Sequence, residues 1–246
     1  MIIDNYLDKK IGETLLKEHE EEREEHISSG KLAASRLGWP VQWQILNYLG
    51  DTSKEFDEYT LRKFERGHQV EEWIVGHMDA VETQKAVEYL GCVGFVDAVI
   101  DSKDWDFKKG LIPHEVKSVT NMKYKRIVKE GQADHQHKLQ ATLYALGMGA
   151  SHYAIDYVAS DDFRISTFIY DVNDTAREVE NVIKLYDKTI KEGIVPAFAP
   201  YNDKLKWQAN KDYNNYPDWI ELTQEECMQK LKTEFPDSYI KLTKGE

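Results

Sequence analysis

Three charged residues interrupt stretches that otherwise read as buried β-strand. They are Asp97 in Gly-Phe-Val-Asp-Ala-Val-Ile (94–100), and Glu115 and Lys117 in His-Glu-Val-Lys-Ser-Val (114–119). A charge in an apolar strand is costly unless it is paired or bound to a cation, so these positions require a shared polar site inside the fold. Strand periodicity puts Glu115 and Lys117 on one face. The polar stretch 101–110 is short enough for a hairpin loop, which brings the strand of Asp97 alongside. Two carboxylates and an ammonium then converge. Hard oxygen ligands of this kind suit magnesium or manganese, and the lysine can orient a water or neutralise charge on a phosphoryl oxygen.

A Glu-x-Lys string alone has little weight, since chance supplies about one in a chain of this length. Asp-x-Lys also occurs at Asp8, Asp101 and Asp106, each in a polar loop or near the N-terminus. Asp101 with Lys103 is the competing pair. The apolar frame and the upstream Asp97 favour Glu115 and Lys117.

Around these strands the chain alternates helical and extended patterns. Residues 1–30 form an acidic helical stretch whose run EHEEEREEH (18–26) reads as a solvated face. A short helix, a turn at Trp39-Pro40 and a second apolar helix follow, then a polar linker at 51–57. Leu61, Phe64, Val70, Trp73, Ile74 and Val81 predict a helix from a Thr60 cap. Residues 86–100 predict two strands meeting near Gly91 and Gly94, and 111–119 a third. A helix at 132–149, strands at 151–160 and 163–172, and a helix at 173–193 capped by Asn173 or Asp174 complete the pattern. The expected divisions are an N-terminal helical region (1–59), a core (60–195) and a C-terminal extension packing on it (196–246).

The 246 residues carry 32 Lys+Arg against 44 Asp+Glu, a net charge of −12. That balance argues against a general electrostatic grip on nucleic acid. It leaves room for a metal-dependent nucleic-acid enzyme, whose site needs carboxylates. Locally the sign reverses: between Lys117 and Lys138 six basic residues, including Lys123, Lys125 and Arg126, face two acids. A phosphate backbone can lie across such a strip, although a solvated surface is the alternative. Two cysteines are too few for a disulfide framework or a four-cysteine metal site. No apolar run approaches the ~20 residues of a membrane span, and the N-terminus has no signal-peptide pattern, so a cytoplasmic location is expected.

The ordered set of a helix, Gly94-Phe-Val-Asp97 in a strand, Glu115-Val116-Lys117 in the next strand and Gln140-Ala-Thr-Leu-Tyr144 in the following helix resembles the PD-(D/E)XK nuclease superfamily. Within it, the pattern is similar to the RecB-type branch, which includes CRISPR adaptation nucleases and many bacteriophage exonucleases. The resemblance spans roughly residues 60 to 170. It implies an α/β fold with a restriction-endonuclease-like core, a mixed central β-sheet flanked by helices, with helical N- and C-terminal additions.

The resemblance also implies a DNA nuclease whose products carry a 5′-phosphate, an exonuclease acting on DNA ends in preference to a sequence-specific endonuclease. Asp97, Glu115 and the Val116 carbonyl would hold Mg2+ or Mn2+, and Lys117 would position the nucleophile. Gln140 and Tyr144 share one helix face and would contact the DNA backbone or support the site. The branch's first motif places a metal-binding His four positions after a Gly. Here Gly67 is followed by Glu71, with His68 one turn earlier; Glu71, a hard ligand, is the preferred candidate, His68 the second, and two helix-surface residues that touch no metal the alternative. His135 and His137 are expected at the surface or facing substrate rather than on a metal.

The stretches 37–44 and 206–219, where many relatives carry iron–sulfur cysteines, contain none, so no iron–sulfur cluster is expected. Trp39, Trp43, Trp207, Tyr213, Tyr216 and Trp219 would instead close that region by packing, or stack on single-stranded bases. The expected partners are single-stranded DNA or duplex ends and a recombination or replication protein, in the host cytoplasm if the chain is phage-encoded. A structure-specific endonuclease, an RNA-cleaving enzyme and a DNA-binding or assembly subunit with a weak site are the rival functions.

Overall fold

The computed structural model describes residues 6–25, 31–50, 56–104, 109–210 and 216–244. A twisted mixed sheet carries the fold. Its strands are β1 (Leu32–Ala33), β2 (Ala80–Tyr89), β3 (Cys92–Asp101), β4 (Leu111–Val119), β5 (His152–Ala159) and β6 (Ile165–Asp171). β2 and β3 form a long hairpin reversed at Leu90 and Gly91, both at positive φ as a tight hairpin turn requires. β3 pairs antiparallel with β4, β4 parallel with β5, and β5 antiparallel with β6. The flanking helices are α1 (Tyr6–Glu25), α2 (Val41–Leu49), α3 (Glu58–Val75), α4 (Asn121–Glu130), α5 (His135–Met148) and α6 (Ala176–Lys191), followed by α7 (Gln224–Glu234) and α8 (Pro236–Lys244).

The expected α/β architecture of a mixed sheet flanked by helices is present, with several boundaries corrected. α3 is capped by Asp57, whose carboxylate accepts the Thr60 N–H at 2.8 Å, rather than by Thr60. It ends at Val75, and Val81 belongs to β2, not to the helix. The outer half of β2 is exposed at Val81 to Gln84, so it has no apolar alternation to announce a strand. α4 is an additional helix in the basic stretch, where only Tyr124 and Ile127 are buried. Its polar majority hid it. α6 starts after Thr175 rather than after Asn173 or Asp174, which lie in a 3-10 turn.

α5 is the central helix. Every residue from Leu139 to Ala145 is buried, as in a helix surrounded by other elements. Leu139 and Leu143 join Val96, Val99, Val179 and Ile183, while Ala141 and Ala145 let Tyr153, Ile155 and Tyr157 of β5 approach. Each large apolar side chain so buried contributes about 1.5–3 kcal/mol. α3 covers the opposite face, where Val70 and Ile74 meet Val116 and Val158.

Trp43, Tyr216 and Trp219 are buried in a further cluster joining α2, α7 and α8. Trp39 meets Trp43 edge-on at 5.3 Å. These aromatics therefore pack; the Trp207 side chain and Tyr213 lie outside the described residues. Glu18, Glu20 and Glu21 are exposed, as a solvated face requires. Among the described residues, no helix is long and apolar enough to cross a membrane.

A buried polar pair ties β4, β5 and β6 together. His114 Nδ1 lies 2.6 Å from Asp156 Oδ2, and Thr167 Oγ1 donates to Asp156 Oδ1 at 2.5 Å. Both members of the pair are at most 2 % exposed. Removing Asp156 takes from the buried His114 and from Thr167 a partner that solvent does not replace. Asp156→Ala is therefore expected to lower unfolding free energy by about 3 kcal/mol, read from urea denaturation.

Candidate active site

The site originates where two neighbouring strands part. β3 and β4 are paired from Asp101↔Leu111 to Ala98↔His114. One further step of this register would set Asp97 opposite Glu115. There the ladder stops: β4 continues along β5, and the edge β3 has lost is taken up by β1 at Cys92 and Val93. Within the gap, the Val116 N–H donates to Asp97 Oδ2 at 2.7 Å. A carboxylate thus replaces the carbonyl that a continued ladder would have offered.

Glu115 is 2 % exposed. Its Oε1 forms an ion pair with the half-buried Lys117 Nζ, while its Oε2 is buried with no hydrogen-bond partner. From α5, Gln140 Nε2 donates to the Tyr144 hydroxyl at 2.8 Å, and that hydroxyl faces Glu115. Gly94 makes this approach possible. A Cβ there would stand 2.7 Å from both Tyr144 Cε1 and Ala34 Cβ, closer than side chains tolerate. The spacing Gly-x-x-Asp therefore has a packing cause on the glycine side and a polar one on the aspartate side.

Glu71 enters from α3, next to Val70, which packs under β4. Its Oε1 accepts from Gln84 Nε2 of β2 at 2.7 Å. Glu71, His68, Asp97, Glu115, Lys117 and Tyr144 all line one cleft of about 2030 Å³. It is the charge of Glu71, not of His68, that reaches the buried carboxylates.

Burial and the neighbouring charges of Glu115 and Glu71 push the Asp97 carboxyl up to about 9, against the Val116 N–H and Lys117. Burial also raises Glu115, with Lys117 opposing and Glu71 adding to the rise. Burial alone would lower Lys117, but Glu115, Asp97 and Glu71 outweigh it and hold the ammonium charged. Three carboxylates thus share one lysine in a poorly solvated gap. Among the described residues, no three acidic, histidine or cysteine side chains are gathered as a ready metal cage. The carboxylates point instead to Lys117, the Val116 N–H and Gln84. The donor set fits a hard divalent cation: all oxygen, with excess negative charge and an unsatisfied Oε2 on Glu115.

The remaining candidates lie around this centre. Lys123 and Arg126 of α4 both pair with Asp134 at 2.8 Å, and Arg126 also with Glu130 at 2.9 Å, so much of the basic strip is locally neutralised. Lys125 is exposed. His137 shares a hydrogen bond of 2.7 Å with the Tyr157 hydroxyl; burial, then Lys117 and Lys123, hold it well below the usual imidazole range. His135 pairs with Glu178 at 2.7 Å. Cys92 and Cys227 are free and buried in different clusters. Gln84 had no signal in the sequence, since its partner and backbone conformation emerge only from the fold.

No family model matches the chain, and no curated protein matches it in sequence. Solved structures do. LHK-Exo in complex with dAMP superposes with a TM-score of 0.50 at 15 % identity, over 74 % of this chain and 94 % of that one. LHK-Exo is an alkaline exonuclease from Laribacter hongkongensis. What is shared is the fold. SSO0001 matches at TM-score 0.49 and 18 % identity, over 86 % of this chain and 96 % of that one. A phage-related exonuclease from Haemophilus somnus 129PT matches at 0.41 and 14 %, over 66 % and 96 %.

The raised Asp97 has a thermodynamic consequence. An acid whose folded pKa lies above its unfolded one takes up a proton on folding, so stability is full below the ordinary carboxylate range and is lost as pH rises toward about 9. Asp97→Asn keeps an acceptor for Val116 and removes that loss. In chelator at pH 8 it is expected to melt about 2–4 °C above the parent protein. At pH 5 the difference should shrink, as differential scanning calorimetry would show.

Proposed function

We propose that this chain is a divalent-metal-dependent deoxyribonuclease that hydrolyses phosphodiester bonds at DNA ends. The observation carrying the reading is the cluster at the parted strands: Asp97, Glu115 and Glu71 against Lys117, with Glu115 Oε2 buried and unsatisfied. Such an arrangement is costly for stability alone and is explained by a role in binding a cation and a phosphate. The fold shared with LHK-Exo, an alkaline exonuclease seen with dAMP, supports a nucleotide polymer as substrate and end-directed cutting. The chain's two cysteines leave the proposed site with magnesium or manganese alone and no four-cysteine cluster.

Asp97, Glu115 and Glu71, with the Val116 carbonyl, would hold the ion. Bound there, magnesium or manganese supplies Lewis-acid stabilisation of phosphoryl oxygens and a lowered pKa for the attacking water. Lys117, kept charged by its neighbours, orients that water and offsets negative charge on the phosphate. Tyr144, fixed by Gln140, faces Glu115 from the side of α5. Lys125 offers a phosphate contact at the edge of the basic helix, while Lys123 and Arg126 would have to exchange Asp134 for the backbone.

With magnesium or manganese, the protein is expected to degrade labelled linear DNA and spare closed circular plasmid. Lys117→Ala and Glu115→Gln should each lower the rate at least about 100-fold. Unchanged rates in these variants would refute the assignment, and cutting of the circle would replace an end-directed enzyme with an endonuclease.

A further inference from the structure

β2 keeps register with β3 on both sides of Gln84: Thr83 lies opposite Ala98 and Lys85 opposite Val96. Gln84 therefore stands across from Asp97, where the pairing lapses. Its φ is +48°, in the left-handed region that residues with a side chain avoid. Among the described residues, the other non-glycine positions at positive φ, Leu90 and Phe163, lie at chain reversals beyond strand ends. Gln84 has no reversal to make. What accompanies the twist is a contact to another element: the side-chain amide reaches α3 and donates to Glu71 Oε1 at 2.7 Å. Both residues line the cleft that holds Asp97 and Glu115.

We propose that Gln84 is a positioning residue for the ion site, holding the Glu71 carboxylate toward Asp97 and Glu115, and that the strained backbone of β2 is kept for this contact. The inference rests on the metal-dependent reading above. Glu71 is half-buried on a helix, and its flexible side chain must be fixed to serve a site built from two strands. An amide suits this task. It anchors one carboxylate oxygen without cancelling the negative charge that attracts the ion, as a lysine or arginine would. Outer partners of this kind orient ligands and typically change metal affinity 10–100-fold.

The test is calorimetric titration with manganese chloride, paired with melting curves in chelator. Glycine is at ease at positive φ, so Gln84→Gly should melt at or above the parent temperature while binding Mn2+ about tenfold more weakly or worse. Gln84→Asn tolerates the same backbone but is too short to reach Glu71, and should weaken binding similarly. In a Glu71→Gln background, Gln84→Gly should change affinity less than about twofold, because the partner it acts through is already altered. Parental affinity in both Gln84 variants overturns the proposal, as does an undiminished loss in the Glu71→Gln background. If the parent protein binds Mn2+ and Asp97→Asn abolishes it while the Gln84 variants bind normally, this inference alone falls. If the parent binds none, the metal-dependent reading falls with it.

Discussion

The hydrogen bond from the Val116 N–H to Asp97 holds the structure at its point of greatest tension. A sheet that parts between two central strands leaves ladder groups without partners, and burying them unmade would be costly. Here a side-chain carboxylate closes the account at the first step beyond the last regular pair. Past that point β4 keeps β5 on its other edge while β3 takes β1, and the last register step sets Asp97 across from Glu115. Everything chemical about the cleft follows from this local exchange of a backbone acceptor for an ionisable one.

The packing on either side makes the parting stable. α5, buried around its whole middle, fills one face and sends Gln140 and Tyr144 into the opening. α3 fills the other with Val70 and Ile74, and so delivers Glu71. The two helices contribute apolar contacts that stabilise the fold and polar groups that do not. The buried carboxylates work against stability, a common relation between site and scaffold.

Much of this was legible in the chain itself. Asp97, Glu115 and Lys117 stood out because each broke an apolar strand pattern, whereas Gln140 and Tyr144 were marked by the family resemblance, their spacing adding only that they share one helix face. Glu71 was preferred to His68 on its ligand chemistry alone, since both sit on the same helix near the same glycine, and in the fold both line the cleft. α4 was missed because its composition is mostly polar, with two buried side chains in ten residues. The exposed start of β2 was missed for the same reason. The basic strip illustrates the opposite error: counted along the chain it is strongly positive, but in space Asp134 sits between Lys123 and Arg126.

The two-residue strand β1 gives the opening a definite size. It closes the edge of β3 at Val93, and β4 closes it again at Ala98, so four residues of β3 remain between the two closures. At about 3.3 Å per residue the two closures stand roughly 16 Å apart, with main-chain pairing at both ends. Its span is set by the sheet and not by a loop. Substitutions of side chains along this segment therefore leave its span unchanged, because main-chain pairing fixes both of its ends.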